Sequence, residues 1–378
     1  MNKGEKMKGK IFSYRSVGWG IILLIILSIL IFFYNCTKKS TRYEFKRDNY
    51  LYVSDTGGSA ERMIYIFSTQ TDSLVDSIYL GPDLYATALG ISPDKRTLYA
   101  RCERILSDTS REYLGCEIDT RTKRLKYIGP NSFPIISPDG KYLFGSIGNQ
   151  FTIFNALDHR IVYQDSINFY PFCFDKRAHL AYGIRLGGKD TEKIRIFNYE
   201  SMCWAGMFTI HLNDGRPLWA GYAVLSPDGN ILYLLTAAAF LEYYFSVYDL
   251  RQDSLLANFR VNTTGQSAIK PDGSTVYITD PGHAGGCMWF GKPPPTGVLG
   301  VFDTRTNTPL PGISLDSLAD SVVSPPLGPY HIRITPDEEK AYLDICGDRI
   351  LVIDLVRNEP LKVIVVPNRN AILHFIAL

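Results

Sequence analysis

The sequence predicts an all-β fold. It reads as a seven-bladed β-propeller of four-stranded antiparallel blades, closed by the C-terminal strand completing the first blade and preceded by an N-terminal hydrophobic helix. Three observations predict it. A turn-and-strand unit recurs as ISPDKRTLYA from Ile91, ISPDGKYLFG from Ile136, LSPDGNILYLLT from Leu225, IKPDGSTVYI from Ile269 and ITPDEEKAYL from Ile334, with a worn copy, FDKRAHLAYG, from Phe174. Self-similarity at tens of residues is the mark of a repeat architecture. The chain carries 24 Tyr and 20 Phe, a composition suited to half-buried strands. Six inner strands precede a Pro-Asp-type turn, and the chain ends in NRNAILHFIAL, a seventh inner-strand pattern with nothing after it.

The N-terminus reads as targeting. Lys3, Lys6, Lys8, Lys10 and Arg15 precede the uncharged run VGWGIILLIILSILIFFY, residues 17 to 34. At 18 residues it approaches the length that spans a bilayer and exceeds the usual core of a secretory signal. Basic residues stay in the cytoplasm, so everything after Tyr34 is expected outside it. Cys36 follows, and the segment resembles a bacterial lipoprotein signal, in which that cysteine is lipidated. Tyr34 and Asn35 stand where such a signal prefers small residues. An uncleaved anchor and a lipid at Cys36 are both open, and each makes the membrane a partner in the bacterial cell envelope.

After this segment, residues 1 to 36, a polar tether runs from 37 to 48 and the propeller from 49 to 378. The second strand of each blade reads YLYVSD from Tyr50, TLYARC from Thr97, YLFGSI from Tyr142, LAYGIR from Leu180, ILYLLT from Ile231, VYITDP from Val276 and AYLDIC from Ala341. The third strand ends on an acceptor side chain each time: Ser68, Asp119, Asn155, Asn198, Asp249, Asp303 and Asp354. Such residues open an Asx or Ser turn into the fourth strand, which makes these carboxylates structural rather than catalytic. Inner strands are expected at about 84 to 91, 131 to 136, 169 to 174, 219 to 225, 264 to 269 and 328 to 334. The first blade has none before Tyr50, so the tail supplies it, because an open first blade leaves an unpaired edge.

SPDGNILYLLT, KPDGSTVYITD and the LYVSD strand resemble the YVTN-type repeats of bacterial seven-bladed propellers, a group that also resembles lactonase-type and amine-dehydrogenase-type propellers. The resemblance covers residues 49 to 378. It implies the fold, and it does not supply chemistry.

In such a blade the Ser-Pro-Asp-Gly turns occupy one face of the disc and the loops between second and third strands the other. Two long insertions fall on that second face, DPGHAGGCMWFGKPPPTG at 280 to 297 and GISLDSLADSVVSPPLGPY at 312 to 330. Long loops in a compact domain are commonly functional. Asp280, His283 and Trp289 are candidate ligand-binding residues, with Gln266 and His331 from neighbouring inner strands. His283 and Cys287 are weak metal candidates, because their spacing matches no metal motif. Trp289 has a second reading, as cover for the end of the sixth blade. AAAFLEYY at 237 to 244 adds apolar surface to a fifth-blade loop.

Cys102 and Cys116 are a candidate disulfide, given a hairpin register centred near Thr109 and an exported domain. Cys173, Cys203 and Cys346 read as buried free thiols, and His374 as a packed residue of the closing strand. A net charge of +2, from 40 basic and 38 acidic residues, leaves no electrostatic footprint for nucleic acid. No haem, Walker, nucleophile-elbow or zinc-protease motif is present, so no cofactor is predicted. The leading expectation is a noncatalytic propeller, tethered to the envelope, that binds a protein, glycan or small ligand through the face with the sixth-blade loops. The alternative is an enzyme or enzyme subunit on the same fold, a lactonase-like hydrolase or a periplasmic dehydrogenase component.

Overall fold

The computed structural model describes residues 49–378 apart from 56–61, 108–109, 131–134, 187–189, 191, 213, 239–241, 262–264, 280–297, 316–330, 346–348, 368–372 and 378. The described residues form seven four-stranded antiparallel sheets and no helix. The hydrophobic segment, the tether and Cys36 lie outside them. Among the described residues no helix is long and apolar enough to cross a membrane.

Blade 1 contains β1 (Tyr50–Asp55), β2 (Met63–Ser68), β3 (Ser73–Tyr79) and, on its inner edge, β28 (Leu373–Ala377). Blade 2 follows with β4 (Leu84–Ile91), β5 (Thr97–Ser107), β6 (Ser110–Asp119) and β7 (Leu125–Pro130), and blade 3 with β8 (Ile135–Ile136), β9 (Tyr142–Ile147), β10 (Gln150–Asn155) and β11 (Ile161–Asp165). Blade 4 holds β12 (Phe169–Asp175), β13 (Leu180–Arg185), β14 (Lys193–Asn198) and β15 (Cys203–Thr209), and blade 5 holds β16 (Trp219–Leu225), β17 (Ile231–Ala238), β18 (Glu242–Asp249) and β19 (Ser254–Val261). Blade 6 is β20 (Ser267–Ile269), β21 (Thr275–Ile278), β22 (Val298–Asp303) and β23 (Thr308–Ser314), and blade 7 is β24 (Ile332–Ile334), β25 (Lys340–Ile345), β26 (Arg349–Asp354) and β27 (Glu359–Val365).

The tail closes the ring as its pattern predicts. Leu51 pairs with Ala377, Val53 with Phe375 and Asp55 with Leu373, so the first blade is built from both ends of the propeller. Each seam between neighbouring blades then has its own apolar cluster. Tyr52, Ile64 and Ile66 of blade 1 meet Leu84, Leu98 and Ile118 of blade 2. Leu51, Val53 and Phe67 meet Tyr342, Ile350 and Val352 across the closing seam. Burying such side chains is worth about 1.5–3 kcal/mol each, which makes the seams the core of the molecule. Among the described residues the thinnest, between blades 2 and 3, holds Tyr99, Leu143 and Phe154 as fully packed members.

The repeated turn explains its own sequence. Ser92, Ser137 and Ser226 donate to Asp94, Asp139 and Asp228 at 2.6, 2.5 and 2.5 Å. The same hydroxyls accept the N–H of Thr97, Tyr142 and Ile231 at 2.9, 3.0 and 2.9 Å, which starts the second strand. Gly140, Gly229 and Gly273 take positive φ of 76°, 73° and 77°, and Lys95 and Glu338 adopt the same region at 62°. The strand-three acceptors are turn structure as well: Oδ1 of Asp119, Asp249, Asp303 and Asp354 each accepts two following backbone N–H groups. Four residues after every strand-three end the backbone is left-handed, at Asp72, Lys123, His159, Met202, Asp253, Asn307 and Asn358.

Several expectations need correcting. Cys102 and Cys116 are free buried thiols. The hairpin pairs Cys102 with Leu114 and Ala100 with Cys116, a register centred on residue 108, so the two cysteines stand diagonally rather than opposite. Cys203 is exposed because β15 is an outer edge strand, and Cys173 is half-buried. Most of AAAFLEYY is strand: Ala237 and Ala238 end β17, and Glu242 begins β18. The inner strands of blades 6 and 7 are three residues long, shorter than their apolar patterns suggest, and in blade 3 the described part of the inner strand is Ile135–Ile136. The β5–β6 arm is longer, because Arg104–Glu112 and Arg111–Glu103 ion pairs carry the ladder past the body of the blade.

Candidate functional site

The long sixth-blade loop lies outside the described residues, and with it Asp280, His283, Cys287 and Trp289. Among the described residues no group of three His, Cys, Asp or Glu side chains is placed to hold a metal. Gln266 and His331 are described, and they belong to one structural set. Among the described residues, inner strands carry a residue opposite the fourth core position of their second strands, toward the loop face. Tyr170 lies opposite Ile184 in blade 4, Tyr222 opposite Leu235 in blade 5, and His374 opposite Ser54 in blade 1. In blade 6 the Thr279 N–H donates to the Gln266 carbonyl at 2.8 Å, and in blade 7 the Asp344 N–H donates to that of His331 at 3.3 Å. Four successive blades thus place Tyr170, Tyr222, Gln266 and His331 at equivalent positions along the channel, and His374 holds the same register position in blade 1.

The strands are adapted to place them. A bulge between Ala220 and Tyr222 shifts the register immediately before the Tyr222 position, and another follows Tyr170 between Pro171 and Cys173. Bulges re-aim side chains in this way near binding sites. Gly183 allows the second one, since a Cβ there would meet the Tyr170 carbonyl at 2.2 Å. In blades 6 and 7 the polar partner sits on the second strand. Thr279 Oγ1 accepts the Gln266 N–H at 2.7 Å. Asp344 accepts the His331 N–H on one oxygen and meets Nδ1 on the other at 2.6 Å. Asp344 is only 4% exposed, so this contact orients the imidazole.

Sequence reasoning missed the centre of the group. Arg333, one turn of the strand zigzag beyond His331, extends from β24 to Gln266, with its Nη1 3.2 Å from the amide oxygen and 2.8 Å from the carbonyl of Ile332. It lies deep in the disc yet keeps part of its surface open. Burial pushes the guanidinium pKa down, against the opposing influence of Asp344, Tyr170 and Tyr222. Burial likewise raises Tyr170, with Tyr222 adding to the effect and Arg333 and Arg101 opposing it. Tyr170 and Tyr222 on blades 4 and 5 therefore share one electrostatic neighbourhood with Arg333 on blade 7, as residues around a common channel would. One signal in the sequence pointed here: at the fourth core position of the second strand, only Arg101 and Asp344 are charged among Ser54, Arg101, Ser146, Ile184, Leu235, Thr279 and Asp344.

The opposite face holds a cavity of about 620 Å³ over the thin seam, lined by Asp94, Glu117, Lys126, Asp139, Tyr142 and Asn155 among others. Its carboxylates are engaged. Asp94 and Asp139 belong to their Ser-Pro-Asp turns, and Glu117 is held by His159 at 2.9 Å and Lys126 at 3.6 Å. This cavity is a by-product of turn packing.

No protein-family model and no curated protein matches the sequence. Solved structures do share the fold. Hydrazine synthase of Kuenenia stuttgartiensis aligns with a TM-score of 0.55 at 15% identity, over 71% of this chain and 76% of that one. Dihydro-heme d1 dehydrogenase NirN, solved in complex with DHE, aligns with a TM-score of 0.53 at 16% identity, over 86% of this chain and 65% of that one. At such identities the likeness concerns the propeller fold alone.

Proposed function

We propose that this chain is a YVTN-type propeller, tethered to the bacterial cell envelope, that binds a ligand at the loop-face mouth of its channel. The observation that carries the reading is the level of Tyr170, Tyr222, Gln266 and His331 around Arg333, polar and aromatic groups converging from four blades. Small-ligand sites have this character, a concave wall with a few placed polar groups. The basic and apolar N-terminal sequence supports the tether, through the membrane segment or a lipid on Cys36.

A second reading has one specific support. The two structural neighbours are named as an enzyme and a dehydrogenase, so an enzyme or enzyme subunit on this fold is its natural form. The His331–Asp344 pair would then act as the proton-handling group at the mouth. Melting of the full chain in detergent against a panel of monosaccharides, short peptides and organic acids tests the first reading. A ligand class that raises the melting temperature of the wild type, and fails with Gln266→Trp, supports the channel. Binding that survives Gln266→Trp overturns it. Turnover of any bound compound, lost with His331→Ala, would move the conclusion to the second reading.

A further inference from the structure

We propose that Arg333 is a carboxylate-binding residue, and that the ligand of this propeller is a small organic acid whose head group lies against its guanidinium beside Gln266. This rests on the channel reading above and narrows its ligand class. The charge of Arg333 is not balanced by a direct ion pair among the described residues. Arg333 makes no salt bridge with any described carboxylate, and its described hydrogen bonds go to an amide oxygen and a backbone carbonyl, both through Nη1. Nε and Nη2 make none among the described residues. The carboxylate that most influences it, Asp344, has one oxygen on the His331 N–H and the other on the His331 ring.

A cation taken out of water without a counter-ion is costly, and interiors rarely keep one unless something pairs with it. The guanidinium fork offers parallel N–H donors at the spacing of two carboxylate oxygens. Arg101 also influences Tyr170, but its guanidinium lies over the Tyr113 ring, so the count at Gln266 is the single cation of Arg333, which favours a carboxylate over a phosphate dianion. The remaining neighbours fit the organic part. Tyr170 is half-buried and desolvation raises its pKa, so its phenol stays protonated at neutral pH, while the tyrosine rings supply apolar surface. Tyr222 is 36% exposed, and its ring is open to such contact.

Isothermal titration calorimetry on the full chain in detergent, at constant ionic strength, tests this with matched pairs: benzoate against benzamide and hexanoate against hexanamide, with inorganic phosphate alongside. At least one acid is expected to saturate and to bind about tenfold or more tightly than its amide. Arg333→Gln should abolish that preference, and Arg333→Lys should keep part of it, since the charge remains without the fork. Melting curves of both variants accompany the titrations, and the acid–amide comparison on the wild type needs no variant at all. Amides binding as tightly as acids, phosphate binding more tightly than either acid, no saturation by either acid, or an acid preference unchanged in Arg333→Gln would each overturn the proposal. The two readings fail differently: acid binding lost with Gln266→Trp but unchanged with Arg333→Gln sinks the role of Arg333 alone, whereas binding unchanged by Gln266→Trp sinks the channel reading.

Discussion

Two charges set into the disc, a buried one in the closing seam and a half-buried one in the channel, are treated in opposite ways. Asp72, on the β2–β3 turn of blade 1, has a side chain 4% exposed and surrounded by donors from blade 7. Lys340 approaches it at 2.9 Å, Lys362 at 3.2 Å and the Tyr342 hydroxyl at 2.5 Å, and Lys340 also donates to the Thr69 carbonyl at 2.9 Å. Arg333 has an amide and a backbone carbonyl. The first arrangement is complete and reads as structure; the second is unfinished from the protein side and reads as a place where something arrives. Satisfaction, more than burial, separates a structural charge from a binding one.

The seam pattern shows why Asp72 is what it is. In blades 6 and 7 the same geometry recurs in weaker form, with the Tyr277 hydroxyl 3.3 Å from Asn358 at the left-handed turn position of the next blade. Between blades 3 and 4 the equivalent pair is Phe144 and Met202, both within one apolar cluster. At the closing seam, where the first and last strands of the propeller meet, this position carries a carboxylate paired with charge from the neighbouring blade.

The contrast can be broken at several points. Deleting residues 371–378 removes β28 and opens the first blade, and should abolish cooperative thermal unfolding or cause aggregation; an unchanged melting curve would refute closure by the tail. Asp72→Ala strands Lys340 at the seam, and because that ammonium keeps 20% exposure, the loss in urea denaturation should fall near the low end for a broken buried pair, about 3 kcal/mol. Tyr342→Phe removes one donor and leaves the ion pairs, so about 1–2 kcal/mol is expected from the same measurement. Arg333→Met should be neutral or stabilising in the absence of ligand, within about 1 kcal/mol, since an apolar chain replaces an unpaired cation. A loss as large as that of Asp72→Ala would erase the distinction.

Acid provides the gentlest probe. Backbone N–H donors, with Lys126, hold the Asp119 carboxylate down to about pH 2, and Asp94 and Asp303 are lowered in the same way by their turns. A depressed carboxylate contributes stability that is present above its unfolded pKa, about 3.9, and is lost as pH falls toward its folded value. Melting temperature should therefore hold from neutral pH to about 4 and decline below it. A decline beginning near pH 6 would point to histidines in place of the turns.

Much of the fold was legible because its information is local. Ser-Pro-Asp-Gly and the strand-three acceptors act on their own neighbours in sequence, and both ends of the ring could be matched by pattern. The left-handed position four residues after each third strand was hidden, because Asp72, Lys123, His159, Met202, Asp253, Asn307 and Asn358 share a backbone conformation and no chemistry. The channel group was half visible. Gln266 and His331 stood out as polar residues in apolar strands, whereas Arg333, Tyr170 and Tyr222 become neighbours only once the ring brings blades 4, 5 and 7 around a common axis. The Cys102–Cys116 register failed for a smaller reason: a hairpin centre misjudged by one residue moves a cross-strand pair onto a diagonal.

Because β1 is a second strand, the polypeptide enters the disc at Asn49 on the side of the Ser-Pro-Asp-Gly turns, whereas His331 stands at the start of an inner strand on the other side. Asn49 and the His331 end thus lie at opposite ends of the axis. A molecule diffusing toward Arg333 from the His331 end would approach on the face opposite Asn49.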